Sequence, residues 1–209
     1  MKESFVKNGT LATTKTKWTT RKEEDNPAMA YVHNLGSVSN SGKEGFMMLG
    51  YDDIYSIEYM YEKRMGYWKH DGKVTIFDAF EKLRDNYQAI MERCRAFDEL
   101  IYDDAEKAGG KKYAEICSAS YRQVISAHKL FTDKEGNLLW FSKENNSNGC
   151  VNTVDLTYPS APLFLVYNPE LQKAMMTSIF EYSASGRWNK PFPAHDLGTY
   201  PIANGQVYG

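Results

Sequence analysis

Asn168-Pro169 breaks a long, largely uncharged run of helix-forming sequence, and that break constrains the fold more than any other feature. Proline lacks an amide hydrogen and disfavours helix in the residue before it, so the helix arriving from about Asp155 must end near Tyr167. At the first position of a new helix the same ring is well placed, and a partner follows through Leu171, Met175, Met176, Ile179, Phe180 and Tyr182. Two helices joined by so short a break fold back as an αα-hairpin. Asn152 or Thr153 supplies the N-cap of the first helix, and Asp155 lies at the positive end of its dipole. Pro159 and Pro162 confine any kink to its first turns.

Helical periodicity extends upstream. From Ile76 to about Ala108, Phe77, Phe80, Leu83, Tyr87, Ile90, Cys94, Phe97 and Ile101 recur at three- and four-residue intervals, as one long amphipathic helix or two in line, ended by Gly109-Gly110. A helix from about Tyr113 to Phe131 carries so little charge that burial on most sides is expected. Asp52 and Asp53 are expected to open a further helix that runs to about Tyr67, with Ile54, Ile57, Tyr61 and Met65 near one face. Antiparallel pairs with charge-poor first members predict a mainly α fold of αα-hairpins forming part of an (α/α) toroid. The exceptions are one short strand or hairpin near 138–142 and a Thr/Lys-rich stretch, 1–35, with no helical period. The latter is expected to be an extended lead-in or linker from a preceding β domain, which leaves 36–209 as the helical-hairpin domain.

With 209 residues, 42% of them hydrophobic, the chain can bury a sizeable core. A net charge of −2 and no basic run interleaved with aromatics argue against a nucleic-acid partner and against contact with a membrane surface. Cys94, Cys117 and Cys150 lack disulfide or zinc spacing, and Cys94 and Cys117 are expected on core-facing helix sides. His33, His70, His128 and His195 fit no metal-binding pattern, so neither a metal nor another cofactor is expected. The opening MKESFVKNGTLATT lacks the apolar core of a signal peptide.

Polar groups concentrate in two places. The loop FSKENNSNG (141–149) precedes the hairpin, and RWNKPFPAHDLGTYPIANGQ (187–206) follows it, so Trp140–Asp155 and Ala194–Tyr200 are expected to meet at one rim. Two carboxylates across a cleft can divide proton donation and water activation, and Glu144, Asp155 and Asp196 are the catalytic candidates. A helix cap or a loop ion pair is the plainer role for Glu144, and Asp155 is similar. Arg122 is expected to be buried against a carboxylate of the 144–155 region or the tail, as a brace or as a grip on a substrate carboxylate, with Gln123 beside it. Asn146 and Asn148 are candidates for holding a substrate amide or ammonium, and His195 for binding or proton transfer. Tyr200, with Trp140 and Trp188, would make a stacking platform if the substrate were a saccharide, with carboxylates ~6.5–9.5 Å apart for inverting hydrolysis. Ser147, Thr153 and Ser160 sit in no nucleophile motif.

These segments, together with LGYDDIYSIEY (49–59), GGKKYAEICSASYRQ (109–123) and TVDLTYPSAPLFLVYNP (153–169), resemble the glutaminase A-like family from about Trp18 to Gly209. The resemblance implies a toroid of helical hairpins, architecturally similar to many glycoside hydrolases, in a secreted or lipid-anchored bacterial protein located outside the cell or in the periplasm. It implies hydrolysis of L-glutamine to L-glutamate and ammonia, with a glycoside-hydrolase-like toroid and a non-catalytic helical scaffold as alternatives. A β-sandwich before this stretch and further helical hairpins after it are the expected partners, along with a small-molecule or saccharide substrate. The 209 residues are accordingly expected to be part of a larger enzyme and inactive alone. The site residues above rest on their chemistry and not on the resemblance.

Overall fold

The computed structural model describes residues 2–9, 31–144 and 146–207, and the chain divides between Met48 and Leu49 into two units. In the first unit Lys2–Asn8 forms helix α1, where an extended lead-in was expected, with Lys7 in its last turn. Exposed chain with little regular structure follows from Tyr31. The rest of the lead-in lies outside the described residues.

The second unit corrects one helix at once. Asp52 to Tyr67 forms a hairpin of strands β1 (Ile57–Tyr59) and β2 (Glu62–Arg64), then a single 3-10 turn at Tyr67–Lys69. The two-residue loop puts Met60 and Tyr61 at φ 50° and 69°, the left-handed geometry whose twist suits a tight hairpin. Neither residue favours that conformation unaided. Tertiary bonds hold it: the Tyr61 amide donates to Asn204 Oδ1 at 2.6 Å, the Met60 amide donates to the Ala203 carbonyl, and the Arg187 guanidinium lies over the Tyr61 ring. Strand β5 (Ile202–Ala203) then pairs in parallel with β1, so the sheet order is β2-β1-β5. The i, i+3 spacing of apolar residues here was a coincidence that distant residues overrode.

Helices α2 (Ile76–Asp85) and α3 (Tyr87–Gly109) are two in line, separated at Asn86. Thr75 and Asp78 form a reciprocal capping box at the start of α2. Gly110 ends α3 at φ 81°, a conformation that suits glycine. Helix α4 (Lys111–Ser126) is shorter than expected and buries only Ala114, so low charge did not mean burial. Cys94 is exposed as well. Beyond Ala127 the chain becomes strand β3 (His128–Thr132), because pairing with β4 (Leu138–Ser142) from His128↔Ser142 to Thr132↔Leu138 seats Phe131 at 0% exposure.

Strand β4 separates two core clusters. Leu139 and Phe141 join Ile57, Tyr59, Phe131, Val151 and Leu197 on one face, while Trp140 joins Phe164, Ala174 and Met175 on the other. Alternation along the strand makes this division automatic. The latter face is roofed by the predicted hairpin, α5 (Val154–Tyr167) and α6 (Pro169–Ala184). Asn168 accepts from the Leu171 amide to cap α6, with Pro169 at its first turn. Asn152 is fully buried and does not cap α5: its amide nitrogen reaches the Met175 carbonyl at 2.8 Å and Ser178 Oγ at 2.9 Å, tying the loop to α6. The hairpin leaves Tyr158, Leu165, Val166 and Phe180 exposed.

Candidate functional site

The two polar segments meet. The Val151 amide donates to the Gly198 carbonyl at 2.8 Å, the Leu197 amide to the Val151 carbonyl at 3.0 Å, and the Tyr200 amide to the Gly149 carbonyl at 2.9 Å. A further bond runs from the Val154 amide, one of the four donors left unsatisfied at the start of any helix, to the His195 carbonyl at 2.8 Å. Both segments therefore converge on the N-terminus of α5. Gly198 lets the tail fold back on itself, since a Cβ there would lie 2.2 Å from the Ile202 carbonyl oxygen.

His195 is placed between two carboxylates. Its Nδ1 is 2.9 Å from Asp196 Oδ2 and its Nε2 is 3.7 Å from Asp155 Oδ1. Asp196 is 1% exposed, and its Oδ1 also accepts from the amides of Gly198 at 2.9 Å and Val207 at 3.0 Å. A carboxylate oxygen accepts, so in the neutral imidazole the shorter contact, to Asp196, assigns the hydrogen to Nδ1 and leaves Nε2 as the acceptor nitrogen on the Asp155 side. Asp155 is largely exposed in the first turn of α5. Beneath the pair lies Cys150, whose thiol burial pushes up to about 11, helped by the negative charges of Asp196 and Glu144. At neutral pH it is a protonated thiol and a poor nucleophile.

Glu144 faces a neighbouring cleft of about 400 Å³ with Ser142, His128, Asn146, Leu156 and Ser160. Its Oε1 accepts from Thr153 Oγ1 at 2.8 Å and its Oε2 from the Ser147 hydroxyl. His128 stacks on Trp140, with ring centroids 4.9 Å apart, and its Nδ1 lies 2.6 Å from the Val124 carbonyl. Burial holds this imidazole below its ordinary value of 6.5, outweighing the Val124 bond. The unfolded chain therefore binds a proton here more readily than the folded one, and stability falls as pH drops below 6.5. His128→Phe keeps the ring packing, so the difference between urea midpoints at about pH 5 and pH 8 is expected to shrink in that variant. A larger cleft of about 560 Å³, lined by Tyr59, Glu62, Arg64, Asp133, Glu181 and Arg187 among others, holds none of the predicted site residues. Among the described residues no group of His, Cys, Asp and Glu is arranged to hold a metal ion, and no helix is long and apolar enough to cross a membrane.

Residues 110–209 match the glutaminase A six helical-hairpin domain, and residues 1–104 match a domain of unknown function (DUF5127). Glutaminase A of Aspergillus oryzae is 33% identical over 212 residues, covering 99% of this chain and 30% of the relative. The chain belongs to the glutaminase A-like family. A probable glutaminase of Arthroderma benhamiae is 34% identical over 97 residues, 46% of this chain and 11% of that protein. The chain thus spans less than a third of the length of these curated relatives. Both are fungal and lend no support to the bacterial source expected from the resemblance. No solved structure matches the chain significantly.

Within this glutaminase A-like framework the predicted site residues separate. Asp155, His195 and Asp196 come together, and Glu144 and Asn146 line the adjoining cleft. Arg122 does not join them: it is exposed and paired with Asp98 of α3, and Gln123 beside it is exposed too. Helix α4 turns both outward, so neither burial nor a site carboxylate reaches the guanidinium. Arg122→Met is expected to change stability by no more than about 0.5 kcal/mol in urea unfolding, as for most exposed ion pairs. Asn148 is a loop residue whose Oδ1 accepts from the Cys150 amide at 2.8 Å. Tyr200 is a clamp: Lys129 Nζ bonds its hydroxyl at 2.6 Å, and the Lys129 and Lys143 ammoniums lie over its ring. The saccharide platform does not assemble, because Trp140 belongs to the helix-side cluster while Trp188 and Tyr200 pack on the other. Sequence reasoning missed Asp53 and Lys129, whose ion pair fastens the Tyr200 end of the tail. Assigning Asp53 to a helix start hid it, and no local pattern links it to Lys129.

Proposed function

We propose that the N-terminal end of α5 carries the water-activating groups of a glutamine amidohydrolase. One observation supports the reading above all: a buried, three-fold bonded Asp196 orients His195 so that its Nε2 lies on the side of the exposed Asp155. In this reading Nε2 removes a proton from water as its oxygen attacks the side-chain carbonyl carbon of L-glutamine. The resulting imidazolium, stabilised by Asp196, returns the proton to the departing nitrogen as the carbon–nitrogen bond breaks, giving glutamate and ammonia. Asp155 holds the imidazolium or the water from the other side. Glu144, both of whose oxygens already accept hydroxyl bonds, is assigned to substrate binding instead of proton transfer. The names of the fungal relatives support the amide substrate.

The test is ammonia release from L-glutamine by the full natural chain. His195→Ala is expected to lower kcat at least ~10²-fold, the usual contribution of a general base. Asp155→Asn should have a smaller effect, and Arg122→Met should have none. Activity retained by His195→Ala excludes this centre. The 209-residue chain by itself is expected to be inactive, and full turnover by it would contradict that expectation.

A further inference from the structure

The cleft beside Glu144 has an unusual floor. His128 and Ser142 are directly opposite each other across β3 and β4, on the helix-facing side of the ribbon. Both line the cleft, yet His128 Nε2 and Ser142 Oγ are shielded from solvent and meet no hydrogen-bond partner among the described residues. Buried polar atoms are normally satisfied, so a pair left unmet side by side marks a place that an occupant completes. Ser142 as a whole is 6% exposed.

The hydrogen-bonding sense of that occupant can be read from its surroundings. His128 Nδ1 lies 2.6 Å from the Val124 carbonyl, which only accepts, so Nδ1 carries the hydrogen and Nε2 presents a lone pair. Ser160 spends its hydroxyl hydrogen on the Leu156 and Thr157 carbonyls, at 3.1 and 3.0 Å, and its remaining lone pairs only accept. Glu144 adds a carboxylate. Lys143 also lines the cleft, and its ammonium is held over the Tyr200 ring, 4.7 Å from the centroid. With the Lys143 ammonium engaged at Tyr200, the Glu144 carboxylate and the acceptors on the cleft floor suit a compact donor-rich cation.

We propose that this cleft is the ammonium subsite for an amino-acid substrate: the α-ammonium group ion-pairs with Glu144 and donates toward Ser142 Oγ and His128 Nε2, directly or through one ordered water. The assignment rests on the amidohydrolase reading, because it supplies the grip for the same glutamine whose side-chain amide is hydrolysed at His195. A three-donor ammonium matches the three kinds of acceptor, whereas a neutral hydroxyl would leave the Glu144 charge without a counterion.

The experiment compares calorimetric binding of L-glutamine and of glutaric acid monoamide, which lacks only the amine, to the full natural chain and to its Glu144→Gln and Ser142→Ala variants. A hydrogen bond to a charged partner implies that loss of the amine weakens binding by about 10- to 100-fold. Glu144→Gln should weaken L-glutamine by a similar factor and leave the monoamide unchanged. Ser142→Ala, a small change within a strand, should weaken only L-glutamine. Equal affinity for the two ligands, equal loss of both in Glu144→Gln, or binding of neither by the folded chain overturns the subsite. So does binding of glucose, a polyhydroxyl probe, that Ser142→Ala weakens in place of L-glutamine. Ammonia release is read separately. Amine-dependent binding without hydrolysis leaves the subsite standing and removes the amidohydrolase reading; hydrolysis with amine-independent binding does the reverse.

Discussion

Asp196→Ala is expected to destabilise the 209-residue chain by about 3–5 kcal/mol, the cost of deleting one partner from a buried charged network. The carboxylate is 1% exposed and accepts from the Gly198 amide, the Val207 amide and His195 Nδ1, with the Cys150 thiol beside it. Alanine leaves the buried Gly198 amide and the part-buried Val207 amide without an acceptor, and a buried amide left so costs about 1–3 kcal/mol. It also removes the anchor that folds 196–207 back on itself. Asp196→Asn should cost less, because its Oδ1 still accepts, though its amide nitrogen cannot serve His195. Urea unfolding checks both, the midpoint falling with little change in slope. A loss below about 1 kcal/mol in Asp196→Ala would mean that the bonds around this residue are not formed in solution.

Gly198→Ala is expected to be of similar severity for a different reason. Its φ of 132° lies where L-residues are strained, and an added Cβ would meet the Ile202 carbonyl oxygen at 2.2 Å. That neighbour is backbone, so it cannot swing aside as a side chain can. Ile202 belongs to β5, paired with Glu58, so relief of the clash must pull the tail away from β1 or from Val151. A loss of about 3–5 kcal/mol is expected from strain together with broken pairing. Gly136→Ala provides the contrast: it shares a positive φ of 88° but meets nothing within 4 Å, so it should cost only about 1 kcal/mol. If the two variants unfold at the same urea concentration, the tail does not occupy this position in solution.

Much of the helical framework was legible because local signals agreed. Asn168-Pro169 marked the α5–α6 break, Gly109-Gly110 ended α3, and the apolar residues of 76–108 recurred at three- and four-residue intervals across α2 and α3. The candidate site was half legible. The loop before the hairpin and the tail after it were expected to meet, and they do, because a hairpin returns the chain to its starting end. Arg122 was misplaced because its charge-poor helix implied burial against the usual preference of arginine, whereas the orientation of α4 turns it outward toward Asp98. His128 and Phe131 were read as helix, and only the partner strand β4 shows why they are not.

By itself, then, the sequence determined a mainly helical chain with an αα-hairpin after a polar loop, and its motifs carried the family. These are properties of neighbouring residues: backbone restriction by proline, capping and 3.6-residue periodicity act within a few positions of the chain. The tertiary structure alone decided that 57–64 is a strand hairpin, that Asp53 and Lys129 clamp Tyr200, and that Asp196 is the buried anchor of His195 while Asp155 stays exposed. Each of those outcomes depends on a partner dozens of residues away, such as Asn204 for Tyr61 or Val151 for Leu197. Such bonds are worth forming only once the core has brought both ends out of water.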